Sequence, residues 1–177
     1  MWGQQPYSEN SSAKDNTILA FITYGEGYHN YHHTFQWDYR NGIRWWHFDP
    51  TKWMISLLSF AGLTRDLKRC NPAQIEKARL ELQYLKATEK CERFDIPENW
   101  RLRLETEYEQ LLQTLELWSE HRQAWYEAKG KQLQQSLNSL DQLQLKHSYK
   151  EVQYRLKAQK QRWQNLLRDL AQPHLQL

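Results

Sequence analysis

Long apolar runs are absent from this sequence, and cysteine, glycine and proline are scarce: the 177 residues include two Cys, six Gly and five Pro. A helix that crosses a bilayer needs roughly 18 consecutive apolar residues, so no segment is predicted to span a membrane by itself. The mean hydropathy of -0.95 fits a soluble or peripheral chain. Cys70 and Cys91 have neither metal-site spacing nor a secretory signal before them, which predicts free thiols in a reducing compartment.

A dense cluster of Lys and Arg is also missing. The net charge is +3, and acidic and basic residues are interspersed along the chain. No nucleic-acid partner is therefore predicted. The composition changes near Cys70, because aromatic residues crowd the part before it whereas Gln, Leu, Glu and Lys dominate the part after it. Two regions are predicted on this basis, residues 1–70 and residues 71–177.

Three histidines lie within five residues, at His29, His32 and His33. On a helix, offsets of three and four residues fall on one face, so the rings are predicted to converge on one point or on two adjacent points. Imidazole suits iron, zinc, copper and nickel, and the lack of a nearby Cys pair argues against a thiolate zinc site. The three histidines are therefore predicted metal ligands. The alternative is a histidine cluster that faces solvent.

Residues that flank the histidines favour a ligand set. Gly25 and Gly27 predict a tight turn just before the first histidine. Tyr28 and Tyr31 are expected to pack against the imidazole rings and to fix their orientation.

Three runs of sequence carry a resemblance to a known family: Asp15–Ala20 before the histidines, Gly25–His33 around them and Thr34–Arg40 after them, with Trp45 further on. Together they resemble the third histidine box of the membrane acyl-CoA desaturases, with the stearoyl-CoA (delta-9) branch as the best match. The resemblance covers residues 1 to about 70.

This resemblance implies a di-iron oxidoreductase that uses dioxygen and two electrons to introduce a cis double bond into a saturated fatty acyl chain. The implied iron ligands are His29, His32 and His33. The implied substrate is a fatty acyl-CoA or an acyl-lipid, and the implied electron donor is of the cytochrome b5 or ferredoxin type. Such an enzyme crosses the membrane several times, with this part on its cytoplasmic side.

The sequence also departs from the family pattern. It lacks the two earlier histidine boxes, the Asn and His ligands that precede the third box, and the membrane spans. It is therefore expected to be the C-terminal part of a desaturase, separated from its N-terminal membrane part and inactive alone. The alternative is an all-helical interaction or scaffold protein whose histidine cluster is incidental or holds a structural metal.

Two carboxylates near the histidines are candidates for hydrogen bonds to a metal ligand, Asp38 and Glu26. For Asp38 the alternative is an ion pair with Arg40. The aromatic residues between Thr34 and Pro50 have two interpretations as well. They form a lid over the metal site, which is preferred, or they meet the headgroup region of a membrane.

The predicted fold class is all-α, with short helices around the histidine box and a long coiled-coil-like hairpin after it. Asp15 or Asn16 is predicted to cap the first helix, and Pro50 and Pro72 are predicted to begin later ones. The helix from Pro50 carries apolar residues at helical intervals. It is expected to lie in a membrane interface or to be buried against the missing spans.

Beyond Pro97 the apolar residues alternate at spacings of four and three, which predicts two heptad seams. The first contains Leu104, Tyr108, Leu111, Leu115, Trp118 and Trp125, and the second contains Leu145, Tyr149, Val152, Leu156, Trp163, Leu166 and Leu170. A hairpin that turns near Asn138 is favoured over one continuous helix, because in a hairpin the two apolar seams pack against each other and are buried. Arg122 and Gln159, the polar exceptions, are expected to face each other and to hydrogen-bond.

Overall fold

The computed structural model describes residues 2–132 and 139–172. Six helices occur in this part of the chain: α1 (Thr17–Ile22), α2 (His29–Thr34), α3 (Pro50–Phe60), α4 (Pro72–Arg93), α5 (Glu98–Gln132) and α6 (Ser139–Leu170). The same residues contain no strand, only isolated bridges that pair Asp15 with Gln4 and with Tyr28. The all-α prediction is confirmed.

Side-chain caps explain where the early helices begin. Asn16 Oδ1 accepts from the backbone N–H groups of Ile18 and Leu19, at 3.0 Å and 3.0 Å, and so caps α1. Asp49 Oδ1 accepts from the N–H of Lys52 at 2.9 Å and caps α3, directly before the predicted first residue Pro50. Each cap satisfies backbone donors that the first turn of a helix leaves without a partner.

The chain divides into two compact units, Met1–Leu82 and Gln83–Leu177. Their boundary lies within α4. The predicted division at residue 70 rests on the change in composition and on the extent of the family resemblance. The division into compact units does not test it, so the division at residue 70 stays a prediction.

The core of the first unit is a cluster of buried aromatic and apolar side chains. Its members are Tyr7, Tyr31, Phe35, Cys70 and Ile75. Tyr7 meets Tyr31 and Phe35 edge-on, with ring centroids 5.4 Å and 5.7 Å apart. Because these residues come from the N-terminal loop, from α2 and from the start of α4, the cluster fixes the short helix α2 between distant parts of the sequence.

In the second unit, α5 and α6 run side by side as an antiparallel hairpin. Glu107 forms an ion pair with Arg162 at 3.7 Å, and the rings of Tyr108 and Trp163 lie 6.3 Å apart. Apolar seam residues of both helices are buried: Leu104, Leu111, Leu115, Leu156, Trp163, Leu166 and Leu170. The hairpin prediction is confirmed, and the predicted turn at Asn138 lies outside the described residues.

The last part of α4 adds a third helix to this hairpin. Tyr84 stacks on Tyr108, with ring centroids 4.3 Å apart and an interplanar angle of 7°. The indole Nε1–H of Trp163 donates to Gln83 Oε1 at 2.9 Å. Trp163 is fully buried, and this bond keeps its one polar atom satisfied.

The expected hydrogen bond between Arg122 and Gln159 is wrong. The Tyr108–Trp163 contact sets a register in which residue 159 lies opposite a position near 112, about 15 Å along α5 from Arg122. The Arg122 guanidinium instead lies over the rings of Trp118 and Tyr126, at 5.7 Å and 5.0 Å. The packing of large side chains decides the register of the hairpin. Counting residues from an assumed turn near Asn138 does not predict it.

Among the described residues, no helix combines the length and the apolar character that a membrane crossing requires.

Gln159 is buried, and its Oε1 atom has no hydrogen-bond partner. We expect Gln159→Leu to stabilise the chain by about 1 kcal/mol, because it removes an unsatisfied buried acceptor. For a protein of this size the melting temperature should rise by roughly 2–4 °C. Circular dichroism melting measures this shift. The control is Gln153→Leu, an exposed position on the same helix. If the melting temperature rose no more in Gln159→Leu than in this control, the role of the buried amide would be contradicted.

Candidate metal site

The two glycines before the histidine box turn the chain sharply between α1 and α2. Gly25 has a φ of +104°, a left-handed conformation that side chains rarely adopt. Gly27 lies against the backbone of α1, where an added Cβ would come within 2.1 Å of the Ala20 nitrogen. The predicted tight turn is confirmed, and it packs Gly27 against α1, two residues before α2 begins.

Asp15 caps α2, whereas the sequence predicts either Asp15 or Asn16 as the cap of α1. Its Oδ1 accepts from the N–H groups of Asn30 and Tyr31, at 2.8 Å and 3.2 Å. Burial raises the pKa of this carboxyl, and the two backbone hydrogen bonds oppose that effect in part. A local sequence pattern does not reveal this cap, because the donors lie 15 and 16 residues further along the chain.

Asn30 holds the inner face of α2. The side chain is fully buried, with Oδ1 accepting from the Tyr7 N–H at 3.0 Å. Its Nδ2 donates to the carbonyls of Ser8 and Ala13, at 2.7 Å and 3.1 Å. Sequence analysis missed this residue, and its position between two histidines of the box is the signal that was available.

The histidines occupy the outer face of α2, as their spacing predicts. His29 and His33 are exposed, and their Nε2 atoms lie 3.0 Å apart. The His32 ring is 6.5 Å from that of His29 and 5.9 Å from that of His33, measured between centroids. Its Nδ1 atom is buried and has no hydrogen-bond partner.

The structure thus brings two of the predicted ligands into contact and places the third beside them. Within residues 2–132 and 139–172, no group of three or more His, Cys, Asp or Glu side chains is arranged to hold a metal ion. Assignment of His29, His32 and His33 as metal ligands stays a prediction.

Asp38 lies at the centre of a buried hydrogen-bond network. Its Oδ2 accepts from the Tyr31 hydroxyl and from the Cys70 N–H, both at 2.7 Å. Arg40 donates from Nε to Oδ1 at 2.9 Å, and from its terminal NH2 group to Oδ2 at 2.7 Å. None of these donors is a histidine. Asp38 therefore forms the ion pair with Arg40 that the sequence offered as the alternative. It does not hydrogen-bond directly to a predicted metal ligand in these contacts.

Electrostatics agree with a charged Asp38. Burial by itself would raise the pKa of this carboxyl, but the hydrogen bonds from Arg40, Tyr31 and Cys70 outweigh that effect and hold the pKa below its ordinary value. Burial and the neighbouring carboxylate in turn raise the pKa of Tyr31. The phenol therefore stays protonated and keeps donating to Asp38.

The other expected neighbours of the histidines are engaged elsewhere. Glu26 is exposed and accepts from Asn41 Nδ2 at 3.1 Å. Tyr28 stacks on His47, with ring centroids 4.4 Å apart, and Tyr31 packs into the core. The expectation that both tyrosines orient the ligand rings is corrected, because they anchor α2 from its inner side.

Burial lowers the pKa of His47 to about 4, with further contributions from Lys52 and Arg44, so His47 is neutral near pH 7.

Comparison with known proteins confirms the resemblance: about half of this chain is similar in sequence to acyl-CoA desaturases. Acyl-CoA desaturase 1 of Saccharomyces cerevisiae is 46% identical over 88 residues, which are 50% of this chain and 17% of the yeast protein. The probable acyl-CoA desaturase of Schizosaccharomyces pombe is 47% identical over 75 residues, 42% of this chain and 16% of that protein. Human stearoyl-CoA desaturase 5 is 42% identical over 76 residues, 43% of this chain and 23% of that protein.

The chain thus spans less than a quarter of the length of these three relatives. No model of a protein family matches it, and no solved structure gives a significant match. The comparisons give no support to the alternative of an interaction or scaffold protein with an incidental histidine cluster.

Replacement of Asp38 with Asn should destabilise the first unit by about 3 kcal/mol, because it leaves Arg40 without its buried partner. The pH dependence should change as well. A carboxyl whose pKa is lowered by folding contributes stability above its unfolded pKa, near 4, and this stability is lost as the pH falls through the folded pKa.

Urea unfolding followed by circular dichroism between pH 3 and 7 measures both effects, with the exposed Asp66→Asn as control. The wild type and the control should lose stability in acid more steeply than Asp38→Asn. Parallel pH profiles for all three proteins would rule out a stabilising charge on Asp38.

Proposed function

We propose that this chain supplies part of an acyl-CoA desaturase, and that His29, His32 and His33 are iron ligands in it. The observation that carries this proposal is the pair of imidazole nitrogens 3.0 Å apart on the outer face of α2, in the stretch Gly25–His33 that resembles the third histidine box of desaturases. The remaining ligands would come from residues outside this sequence, because three histidines do not fill the coordination of two iron ions.

The residues present are compatible with a metal ion. Imidazole nitrogens bind metals at about 2.1 Å, so two ligands at a right angle on one ion are separated by about 3.0 Å. The distance between His29 Nε2 and His33 Nε2 has this value. The unpaired Nδ1 of His32 is a further nitrogen that the protein itself leaves without a donor or acceptor.

Bound iron would supply the dioxygen chemistry that removes hydrogens from adjacent carbons of an acyl chain. The residues of this chain have a different task, which is to fix the direction in which the histidines point. Asp15 holds the first turn of α2, Asn30 ties the helix to the N-terminal loop, and Asp38 holds Tyr31. None of these three side chains hydrogen-bonds to an imidazole nitrogen in these contacts, so they leave the imidazole nitrogens free for a metal.

The names of the relatives support the choice of substrate. Most of those described above are named for acyl-CoA, and we propose a fatty acyl-CoA as the substrate here. A chloroplast relative from Arabidopsis thaliana, 35% identical over 80 residues, is named as a palmitoyl-monogalactosyldiacylglycerol desaturase, so an acyl-lipid is the second candidate. An electron donor of the cytochrome b5 or ferredoxin type, and a membrane location with this part on the cytoplasmic side, complete the proposal.

Metal binding gives a direct test. Wild-type chain equilibrated with Fe²⁺ under anaerobic dialysis should retain iron, measured by elemental analysis, and His33→Ala should lose most of it because one nitrogen of the close pair is gone. His147→Ala is the matched control, since His147 lies on α6 and is exposed. Equal iron content in His33→Ala and in the control would contradict the assignment.

A chimera tests the enzyme function. The matched 88 residues of this chain replace the corresponding segment of Acyl-CoA desaturase 1 from Saccharomyces cerevisiae, in cells without their own copy. Gas chromatography of cellular fatty acids should show monounsaturated product. The product should disappear in the chimera carrying His29→Ala, because the site loses a ligand. The control is a chimera with Lys77→Ala, an exposed position on α4. Product formation that survives each single replacement of His29, His32 and His33 would exclude these residues as ligands.

A further inference from the structure

A hollow in the first unit lies between the N-terminal loop, the start of α1 and the loop before α3. Its volume of about 500 Å³ falls within the range of small-molecule sites, roughly 300–1,000 Å³. None of the three predicted metal ligands lines it. We call it the arginine hollow, after two of the polar residues in its wall: Gln4, Asp15, Tyr28, Arg44, His47 and Arg79.

Two buried polar groups in the wall have hydrogen-bonding capacity that the protein leaves unused. Tyr28 is 4% exposed, and its hydroxyl has no hydrogen-bond partner among the described residues. The backbone of Phe48 lies near the phenol oxygen, which leaves the hydroxyl proton available. His47 Nδ1 is likewise buried without a partner. Because a buried polar group without a partner is costly, these two groups indicate a ligand that hydrogen-bonds to them.

Two guanidinium groups bring positive charge to the same hollow. Arg44 is exposed, and its guanidinium lies 5.1 Å from the ring centre of Trp46. Arg79 is half-buried; it donates to the Tyr7 hydroxyl at 2.8 Å and lies 3.8 Å from Glu76. Arg79 is therefore held in position with part of its charge offset, and Arg44 supplies the larger share of the charge.

Acidic groups do not cancel this charge. Asp15 is the one carboxylate among the residues that line the hollow. Its Oδ1 already accepts from the N–H groups of Asn30 and Tyr31, so this carboxyl is used to cap α2. Glu26 is exposed but does not line the hollow, and it accepts from Asn41.

The low pKa of His47 reports the sign of the local field. Burial is the largest cause of this low pKa. Lys52, Arg44 and Arg79 lower it further, and the opposing effect of Asp49 is the smallest of these contributions. The surroundings of this ring therefore favour an anion.

Backbone hydrogen bonds fix the rim of the hollow. Gln4 and Asp15 exchange two of them, at 2.9 Å and 2.7 Å, and Asn16 Nδ2 donates to the Trp2 carbonyl at 3.1 Å. The Trp2 side chain is left 77% exposed on this rim. An exposed indole can stack on an aromatic base, as it does in proteins that bind single-stranded nucleic acid.

This combination of groups matches a phosphate ester. Guanidinium groups fit phosphate oxygens, and a phosphate monoester carries a charge of about −1.5 to −2 at pH 7. A hydroxyl and a neutral imidazole can each donate to a further oxygen. We propose that the arginine hollow binds the phosphate of a nucleotide, with Arg44, Tyr28 and His47 as donors. The base then lies against Trp2.

Two sources present this chemistry: a free nucleotide, and the nucleotide part of coenzyme A in the proposed substrate. The second source rests on the proposed function, whereas the first does not.

Isothermal titration calorimetry of the full chain with ADP tests the proposal. The buffer is free of phosphate and contains a chelator, so that no metal bridges ADP to the histidines. Wild-type chain should bind one ADP. Arg44→Gln should raise the Kd at least about tenfold, because it removes a charged donor. Tyr28→Phe should raise it about fivefold, because it removes one hydrogen bond and keeps the ring that stacks on His47.

The matched controls are Arg65→Gln and Tyr24→Phe, two exposed residues that do not line the hollow. Both should bind ADP as the wild type does, and their circular dichroism spectra and that of Arg44→Gln should be unchanged. His33→Ala should also bind ADP normally, because His33 lies outside the hollow. This test and the iron-binding test therefore fail independently.

Coenzyme A distinguishes the two sources. Tighter binding of coenzyme A than of ADP, with the same loss in Arg44→Gln, would assign the hollow to the proposed substrate. Equal or weaker binding would assign it to a free nucleotide.

Several results would overturn the proposal. These are a wild-type chain that does not bind millimolar ADP, equal binding of adenosine, which lacks the phosphate, and an Arg44→Gln variant with the wild-type Kd. An equal loss in Arg65→Gln would show unspecific attraction to a basic chain and would overturn it as well. If Tyr28→Phe did not fold, the comparison of Arg44→Gln with Arg65→Gln would still decide.

Discussion

A buried carboxylate, that of Asp38, joins three segments of the first unit. It accepts from Tyr31 on α2, from Arg40 in its own segment and from the Cys70 N–H that precedes α4. A charge in this position is costly to remove from water, and only a complete set of donors offsets that cost. The orientation of α2, and therefore of the histidines, depends on this network.

Helix α2 has only six residues and is too short to be stable by itself. It persists because residues between the histidines are used for anchoring. Asn30 binds the N-terminal loop, and Tyr31 packs against Tyr7 and Phe35. The same six residues therefore carry anchoring side chains on one face and histidines on the other, as a helical period of 3.6 residues permits.

The sequence predicted the features that depend on neighbouring residues. Spacing placed His29 and His33 on one face, and the heptad pattern predicted the hairpin. What it missed involves partners that are distant in sequence, such as the bonds of Asn30 to Ser8, 22 residues away, and of Asp38 to Cys70, 32 residues away. The predicted register of the hairpin, which paired Arg122 with Gln159, was wrong for the same reason. The register depends on which large rings of α5 and α6 meet.

Helix α3 shows a further limit of pattern analysis. Periodicity reveals that a helix has an apolar face, but it does not say whether that face points inward or outward. In α3 it points outward, with Met54, Leu57 and Phe60 exposed. The direction is decided by Lys52, whose ammonium group finds three carbonyl acceptors inside the unit, and by Ser56 beside Tyr39. Burial lowers the pKa of Lys52, yet the carbonyls satisfy all three of its donors. The low mean hydropathy of the whole chain conceals this outward apolar face, because the charged residues of α4, α5 and α6 dominate the average. A local apolar exterior thus coexists with a polar composition, and only the side-chain partners of the inner face reveal it.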